Sequence, residues 1–314
     1  MYGGRQILVN VKAALWSSSE GQGPRVKPPH PLLWRQYPVM KKILSIQSTV
    51  TAGFVGNSVA GPVLTALGQH PLLVDTILLA AHPGYGKRAG GAVPTTILAD
   101  VLDGLATLTD LSSIGTTISG YLGGADQIDA ITGLIDAWKL ATAGPIKSTY
   151  ILDPVLGDGG RLYVAPELAA AMVADLLPRA DIITPNRYEL SFLADSGVED
   201  IASATAAARH LIDRFGLQAV IATGITDGAR GTGDLMIAAD DSITWQPARQ
   251  DAQNVAGGGD LLTATFAGLI NAGAGPEQAF TRASILAQTV IAGSADARDL
   301  ALLDHLRDVA ALQA

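Results

Sequence analysis

From residue 43 onward, short and mostly apolar segments alternate with helical segments, and this alternation constrains the fold more than any other feature. Segments such as Ile43–Ile46 and Thr149–Leu152 have the length and composition of strands that are buried on both faces. Strands of this kind, joined by helices, form a mostly parallel sheet with helices on both sides. We therefore predict an α/β fold in three layers, an α/β/α sandwich around one central sheet.

Proline and glycine residues mark the boundaries of the predicted elements. Gly53 and Gly56 predict a turn before the first helix, and Pro94 opens the second. We predict strands over residues 43–46, 72–79, 116–119, 149–152, 181–184 and 219–223, a hairpin of residues 235–238 and 242–245, and helices over residues 57–67, 94–108, 125–141, 188–193, 203–215, 258–271, 276–291 and 297–312.

Composition narrows the classes of function. The chain has 314 residues, a net charge of -8 and no cysteine. The absence of cysteine excludes disulfides, thiolate catalysis and cysteine zinc sites. No cluster of Lys and Arg points to nucleic acid, and no run of 18 or more apolar residues predicts a membrane span. We expect a cytoplasmic enzyme that acts on a small molecule.

The first 39 residues differ from the rest of the chain. They contain five prolines and the run Ser17–Ser19, and they lack the pattern of a secretory signal. The prolines prevent a continuous helix or central strand. The segment is either a flexible extension or a misassigned start, and Lys42 before an apolar strand slightly favours a start at Met40. Residues 40–314 are predicted to form one domain.

The most informative motif is the glycine triplet Gly257, Gly258 and Gly259, which is followed by Asp260 and a helical segment. Glycine amides at the positive end of a helix dipole can bind a transferring phosphoryl group. An adjacent carboxylate can accept a proton from an attacking hydroxyl. Taken alone, the motif fits a glycine-rich turn with Asp260 in the first helical turn at least as well.

Other polar residues follow predicted strands, where ligands of parallel sheets bind. Asp153 precedes a proline after one strand, Asn186 and Glu189 follow the next, and Thr223 precedes a glycine at the end of a third. Each has a structural interpretation, as a turn residue or as a capping box of Asn186 and Glu189. Asn186 and Glu189 could alternatively hold Mg²⁺ and phosphate through waters. Because these residues all occur at the ends of successive predicted strands, a binding site explains them better than separate turns do.

These motifs, Asp-Pro-Val, Asn-x-x-Glu and Gly-x-Gly-Asp in this order, resemble those of the ribokinase-like kinases. Within that group, residues 43–48, 53–58, 119–123 and 183–186 are similar to segments of pyridoxal kinases, and the resemblance spans about residues 41–292. It implies a ribokinase-like fold, a homodimer, and ATP-dependent phosphorylation of the hydroxymethyl group of pyridoxal or a related B6 vitamer. It also implies Mg²⁺ and a monovalent cation such as K⁺.

The resemblance also assigns roles to single residues. Asp260 would be the base and Gly257, Gly258 and Gly259 the anion hole. The acceptor would contact Ser48, His82 and Tyr121. The nucleotide and its metal would lie among Asp153, Asp158, Tyr163, Asn186, Glu189 and Thr223, with Asp153 and Glu189 near the metal.

Two positions depart from the family pattern. Gly258 stands where relatives commonly carry a side chain, and Pro83 stands where they often carry a polar residue that holds the substrate. Three alternatives therefore stay open: a hydroxymethylpyrimidine or sugar kinase, a B6-binding protein without activity, and a dinucleotide-dependent oxidoreductase. The last is disfavoured because no Gly-x-Gly-x-x-Gly follows the first strand.

Overall fold

In a computed structural model that describes residues 42–143, 148–249, 255–294 and 298–313, one mixed sheet organises the chain. The segment 1–39, which we predicted to be an extension, lies outside the described residues. The strands are β1 (Lys42–Ala52), β2 (His70–Ala81), β3 (Gly90–Ala92), β4 (Ile114–Ser119), β5 (Thr149–Leu152), β6 (Gly157–Asp158), β7 (Arg161–Leu162), β8 (Ile182–Ile183), β9 (Ala219–Asp227), β10 (Gly231–Ala238) and β11 (Ile243–Pro247).

The sheet has the strand order β11-β10-β9-β8-β5-β4-β1-β2-β3. The six neighbouring strands from β9 to β2 are parallel, whereas β3, β10 and β11 pair antiparallel at the two edges. Strands β6 and β7 form a separate two-stranded hairpin. A mostly parallel sheet is confirmed, and its carboxyl ends lie along one edge.

Helices cover both faces of this sheet, which confirms the three layers. They are α1 (Asn57–Ala66), α2 (Thr95–Leu108), α3 (Ile128–Ala141), α4 (Pro166–Ala171), α5 (Arg187–Ala194), α6 (Ile201–Phe215), α7 (Gly258–Asn271), α8 (Pro276–Gly293) and α9 (Leu306–Ala311). One core lies between the sheet and α2 to α6, and the other lies between the sheet and α1, α7, α8 and α9. No helix in these ranges has the length and hydrophobicity that spanning a bilayer requires.

Alternate residues of the parallel strands serve the two cores. Leu44 of β1 and Tyr150 of β5 pack into the first core, whereas their neighbours Ile43 and Ile151 pack into the second. Because strand side chains alternate between faces, a strand covered on both sides must be apolar at consecutive positions. This requirement explains why the segments read as continuous apolar runs.

Several sequence predictions about element ends are wrong. The first strand, predicted to end at Ile46, continues to Ala52, and the strand predicted to begin at Leu235 begins at Gly231. The strand predicted to stop at Thr223 continues to Asp227, because Gly224 adopts a positive φ of 67° in a bulge and β10 pairs with the continuation. The helix predicted over residues 297–312 is not continuous. Among its described residues, a 3-10 turn over Leu302–His305 precedes the short helix α9.

Candidate active site

The polar residues singled out in the sequence lie at the carboxyl ends of adjacent strands. The N–H of Asp153, after β5, donates to the carbonyl of Ser119 at the end of β4 over 2.8 Å. Asn186, after β8, forms a parallel bridge with Thr223 of β9. The register of the parallel strands thus gathers these side chains at one edge of the sheet.

The glycine triplet begins helix α7 at this edge. Gly257 caps the helix with a φ of 91°, and a Cβ there would collide with the carbonyl oxygen of Phe54, so the position requires glycine. The N–H of Gly258 donates to the carbonyl of Val255 over 3.3 Å, so this amide is partly engaged, contrary to our expectation of unblocked amides. Within the described residues, the N–H groups of Gly259 and Asp260 have no partner. Unpartnered N–H groups at the positive end of a helix dipole are groups that an anion can bind.

Asp260 lies in the first turn of α7 and is partly exposed. Burial raises the pKa of its carboxyl group, and a hydrogen bond from the backbone N–H of Gly56 opposes that shift. A carboxylate with a raised pKa is a better proton acceptor than a fully solvated one. The carboxyl group therefore has the position and the basicity that a general base next to an anion hole needs.

Asp153 is buried beside Asp260. Burial, then the charges of Glu189 and Asp260, raise the pKa of Asp153 well above its ordinary value. The hydroxyl of Thr263, one turn into α7, lies 3.4 Å from Asp153 Oδ2 and 3.0 Å from Thr184 Oγ1. Helix α7 is thus joined to the ends of β5 and β8 through polar side chains.

Asn186 and Glu189 form a capping box at the start of α5, which is the structural interpretation that the sequence left open. Asn186 Oδ1 accepts from the N–H of Glu189 over 3.0 Å, and Glu189 Oε2 accepts from the N–H of Asn186 over 2.9 Å. Glu189 Oε1 also accepts from the N–H of Leu156 over 2.7 Å. Burial raises the pKa of Glu189 to about 7, although these N–H groups oppose the shift. Both carboxylate oxygens therefore bind backbone groups, and any metal contact of Glu189 must share them.

Three carboxylates thus lie near one another, and within the described residues none of them forms an ion pair with a basic side chain. No Lys or Arg is among the main causes of the raised pKa values of Asp153, Glu189 and Asp260. The same described residues form no group of three His, Asp or Glu side chains that could hold a metal ion by themselves. Excess negative charge at a buried site favours a bound cation. Further ligands for such a cation would have to come from outside the protein.

A cleft of about 810 Å³ opens beside this cluster. Five of the predicted nucleotide or anion-hole residues line it, namely Asp158, Asn186, Thr223, Gly258 and Gly259. One wall is apolar and consists of Val255, Leu262, Ala287 and Ile291. A cleft with an anion-binding helix start at one end and an apolar wall suits a phosphorylated compound that carries a flat ring.

Among the polar side chains of this cleft that sequence analysis missed are Asp234 of β10 and Gln288 of α8. Asp234 accepts from Ser284 Oγ over 2.6 Å and from the N–H of Gly224 over 3.3 Å, so it holds the bulge of β9 against α8. Burial raises the pKa of Asp234. The only signal was a carboxylate inside a strand next to two glycines, which also occurs at exposed strands.

Two aromatic side chains connect the predicted acceptor and nucleotide sides. The rings of Tyr121, after β4, and Tyr163, after β7, meet edge to face with centroids 6.4 Å apart. Burial raises the pKa of Tyr163, and the carboxylates Glu189, Asp153 and Asp260 add to the shift. Tyr163 therefore lies near enough to the carboxylates to be affected by their charge, while its ring contacts that of Tyr121.

Ser48 lies at an irregularity of β1, where the register with β2 shifts between Gln47 and Thr49. It is buried against the turn before α1, and a Cβ at Gly56 would lie 2.8 Å from Ser48 Oγ. The same Gly56 donates to Asp260. Gly56 thus lies between Ser48 and the candidate base Asp260. Ser48 is in the interior of β1 rather than at a strand end.

A family model described as phosphomethylpyrimidine kinase matches residues 63–301. The pyridoxine/pyridoxal/pyridoxamine kinase of Bordetella avium is 34% identical over 88% of this chain and 93% of that protein. The pyridoxal kinase of Deinococcus radiodurans is 38% identical over 56% of this chain, and this chain spans 58% of its length. The chain belongs to the pyridoxal kinases of the ribokinase-like superfamily. The structure of the Leishmania donovani pyridoxal kinase in complex with ADP and pyridoxamine matches with a TM-score of 0.78 and 26% identity, over 86% of this chain and 95% of that one.

One departure from the family pattern has a structural explanation. A Cβ at Gly258 would lie 2.8 Å from the Cδ1 of Ile291 in α8, so the end of Ile291 occupies the space next to Gly258. Glycine at 258 therefore leaves room for the side chain of Ile291. Gly258 itself has no positive φ, so its backbone does not require glycine.

The other departure concerns the turn that starts at His82. His82 is buried, its Nδ1 accepts from the N–H of Gly84 over 3.1 Å, and its Nε2 lies 2.9 Å from the carbonyl oxygen of Arg298. Both ring nitrogens are thus engaged within the protein. Pro83 follows at the start of a 3-10 turn, so this turn offers the acceptor no polar group at either residue.

Proposed function

We propose that this chain transfers the γ-phosphoryl group of ATP to the hydroxymethyl group of pyridoxal or a related B6 vitamer, giving the 5'-phosphate. The observation that carries the proposal is Asp260, a carboxylate of raised pKa in the first turn of a glycine-started helix beside an open cleft. Membership of the pyridoxal kinases and the ADP complex of the Leishmania relative support ATP as donor and a B6 vitamer as acceptor.

The proposed reaction requires no covalent intermediate with the protein. Asp260 takes the proton of the acceptor hydroxyl as the oxygen bonds to phosphorus and the bond to the leaving ADP oxygen breaks. The N–H groups of Gly259 and Asp260 donate to the oxygens of the transferring group, on which negative charge is spread. The cleft residues Asp158, Asn186 and Thr223 would hold the nucleotide.

The carboxylate cluster fits a divalent cation that arrives with the nucleotide. Asp153 is buried with two like charges nearby, so a cation there would relieve the repulsion. Mg²⁺ commonly takes one or two carboxylates and completes its shell with water and phosphate oxygens. Bound Mg²⁺ would neutralise phosphate charge during transfer. Asp153 would hold it directly, and Glu189 would act through water because its oxygens accept backbone N–H groups.

On the acceptor side, we assign Ser48, His82 and Tyr121. Ser48 would contact the polar edge of the pyridine ring, and Tyr121 would pack near the ring with Tyr163 as its aromatic neighbour. His82 would contribute shape rather than a hydrogen bond, because both of its nitrogens have partners in the protein. A monovalent cation such as K⁺ and a cytoplasmic location are predictions that rest on the family resemblance.

The homodimer is proposed on the same resemblance, and one surface supports it. Helix α2 exposes Ile97, Val101 and Leu108, the last with 88% of its surface accessible. Contiguous exposed apolar side chains on one helix are typical of a subunit interface.

A phosphomethylpyrimidine or hydroxymethylpyrimidine kinase is the second candidate, because the matching family model carries the first of these descriptions. An acceptor panel separates the two. We expect full-length protein with MgATP to phosphorylate pyridoxal with a kcat/KM at least about tenfold above that for hydroxymethylpyrimidine or a sugar, a difference of about 1.4 kcal/mol. A higher kcat/KM for the pyrimidine would reverse the two proposals. Ligand binding without turnover of any acceptor would favour a non-catalytic B6-binding protein.

A further inference from the structure

The residues Arg298–Leu302, which we call the C-terminal strap, run between helix α8 and the last 3-10 turn. The N–H of Ala301 donates to Ser294 Oγ over 3.0 Å, and Ser294 Oγ donates to the carbonyl of Val290 over 2.8 Å. Leu300 and Leu302 are buried in the second core. The strap is therefore anchored to α8 and to the core.

From this base, Asp299 reaches the turn that follows β2. The hydroxyl of Tyr85 donates to Asp299 Oδ2, and His82 Nε2 lies 3.2 Å from Asp299 Oδ1 and 2.9 Å from the Arg298 carbonyl oxygen. The Arg298 guanidinium lies 5.0 Å from the centroid of the Tyr85 ring. Two adjacent strap residues thus bind both ends of the turn His82–Tyr85.

The hydrogen bonds determine which nitrogen of His82 carries the proton. The N–H of Gly84 can only donate, so His82 Nδ1 accepts and is unprotonated. Nε2 therefore carries the hydrogen and donates to Arg298 and Asp299. Asp299 accepts from two donors of one turn, and a hydrogen bond to a charged acceptor is stronger than a neutral one.

The strap also contacts the two segments that place the candidate base. A Cβ at Gly53 would collide with Asp299 Oδ1 and lie 3.2 Å from His82 Cδ2, so the turn before α1 packs on both side chains. A Cβ at Gly257 would lie 3.0 Å from Leu300 Cδ1. The turn that starts at Gly53 leads to Gly56, whose N–H donates to Asp260.

We propose that Asp299 is a positioning residue for the phosphoryl acceptor. It fixes the turn His82–Tyr85 against the turn that starts at Gly53, so that the acceptor hydroxyl is held within reach of Asp260. Asp299 does not line the nucleotide cleft and its side-chain partners belong to the turn His82–Tyr85, so its substitution should affect the acceptor more than the nucleotide. This inference rests on the proposed function, because it assigns the strap to the acceptor of that reaction.

The test is the substitution Asp299→Asn in the full chain, with steady-state kinetics for each substrate. Asparagine keeps the shape of the side chain, but one of its two end atoms is a donor, so it cannot accept from both Tyr85 and His82. Loss of a hydrogen bond to a charged group is commonly worth about tenfold in binding. We expect the KM for pyridoxal to rise about tenfold and the KM for ATP to stay within about twofold.

A matched control is available in the same region of the chain. Asp308 accepts from His305 Nδ1 over 2.7 Å, so Asp308→Asn weakens another Asp–His pair that lies outside the strap. We expect both KM values to be unchanged in this control. Tyr85→Phe removes one of the two donors, and its effect on the KM for pyridoxal should be less than additive with that of Asp299→Asn.

An unchanged KM for pyridoxal in folded Asp299→Asn, or an equal rise in both KM values, would overturn the inference. Hydrogen exchange without ligand gives a second readout that does not depend on the reaction. We expect faster amide exchange over residues 82–88 in Asp299→Asn and in Tyr85→Phe, but not in Asp308→Asn. If the wild type phosphorylates another acceptor, the proposed function fails, and unchanged exchange in these variants would separately refute the role of the strap.

Discussion

At the scale of single residues, the fit between Gly258 and Ile291 shows how one position depends on its neighbour across two helices. Among the described residues, only the Cδ1 of Ile291 obstructs a side chain at 258, and no positive φ opposes one. Alanine has a higher helix propensity than glycine and lowers the entropy of the unfolded chain. The preference for glycine at 258 is therefore a local packing effect.

This interpretation predicts a coupling between Gly258→Ala and Ile291→Val. We expect Gly258→Ala alone to change the free energy of unfolding little, because the contact with Cδ1 offsets the gain in the helix. In the Ile291→Val background, the same substitution should stabilise the protein by about 0.5–1 kcal/mol. Urea unfolding of the four proteins measures the coupling. Strictly additive effects would mean that Ile291 does not explain the glycine.

Single residues also show what sequence could and could not reveal about the site. Asp153, Asn186 and Asp260 could be identified from the sequence because each follows a strand or a glycine run, where parallel sheets bind ligands. Asp234 could not be identified in this way, because its contact with Ser284 joins residues 50 positions apart in the chain. Sequence spacing carries no information on such a pair. The same holds for Asp299, whose partners lie more than 200 residues away.

At the scale of elements, the central strands and most helices could be predicted because burial on both faces leaves a simple apolar pattern. The ends of elements depend on pairing partners instead. Strand β9 passes through the bulge at Gly224 because β10 is available as an antiparallel neighbour. In the region of the predicted last helix, residues 298–301 are not helical, and they contact the turn after β2.

The start of α5 illustrates an ambiguity that sequence alone does not resolve. The spacing of Asn186 and Glu189 fits both a capping box and a site for metal and phosphate. The structure contains the capping box, and it also joins the box to the β6 hairpin through the N–H of Leu156 and the carbonyl of Gly157. A cap that holds the hairpin beside the nucleotide cleft can serve both purposes.

At the scale of the whole molecule, buried carboxylates make stability depend on pH. The pKa of Asp234 is raised by burial, and its neighbours Ser284, Gln288 and Gly224 offer hydrogen bonds but no opposite charge. The carboxyl group of Asp234 therefore binds its proton more tightly in the folded state than in the unfolded state. The contribution of protonated Asp234 to the free energy of unfolding is fully present below its unfolded pKa of about 3.9. It is lost as pH rises through the folded pKa.

We accordingly expect Asp234→Asn to reduce the fall in unfolding free energy that the wild type shows as pH rises above about 4. Urea unfolding at a series of pH values measures this slope. Asp136→Asn is the matched control, because a hydrogen bond from Arg179 lowers the pKa of Asp136 and its contribution is instead lost as pH falls. A slope above pH 4 that is the same in Asp234→Asn and wild type would contradict the assignment.

The central claim is that Asp260 is the base of a B6 vitamer kinase. The most direct measurement is MgATP-dependent formation of pyridoxal 5'-phosphate by full-length wild type, Asp260→Asn and Asp110→Asn. Asp110 is an exposed cap that does not line the cleft, so its variant controls for the loss of a carboxylate. We predict product from wild type and Asp110→Asn, and a loss of at least about 100-fold in kcat for Asp260→Asn. Retention of kcat within about tenfold in a folded Asp260→Asn would contradict the account.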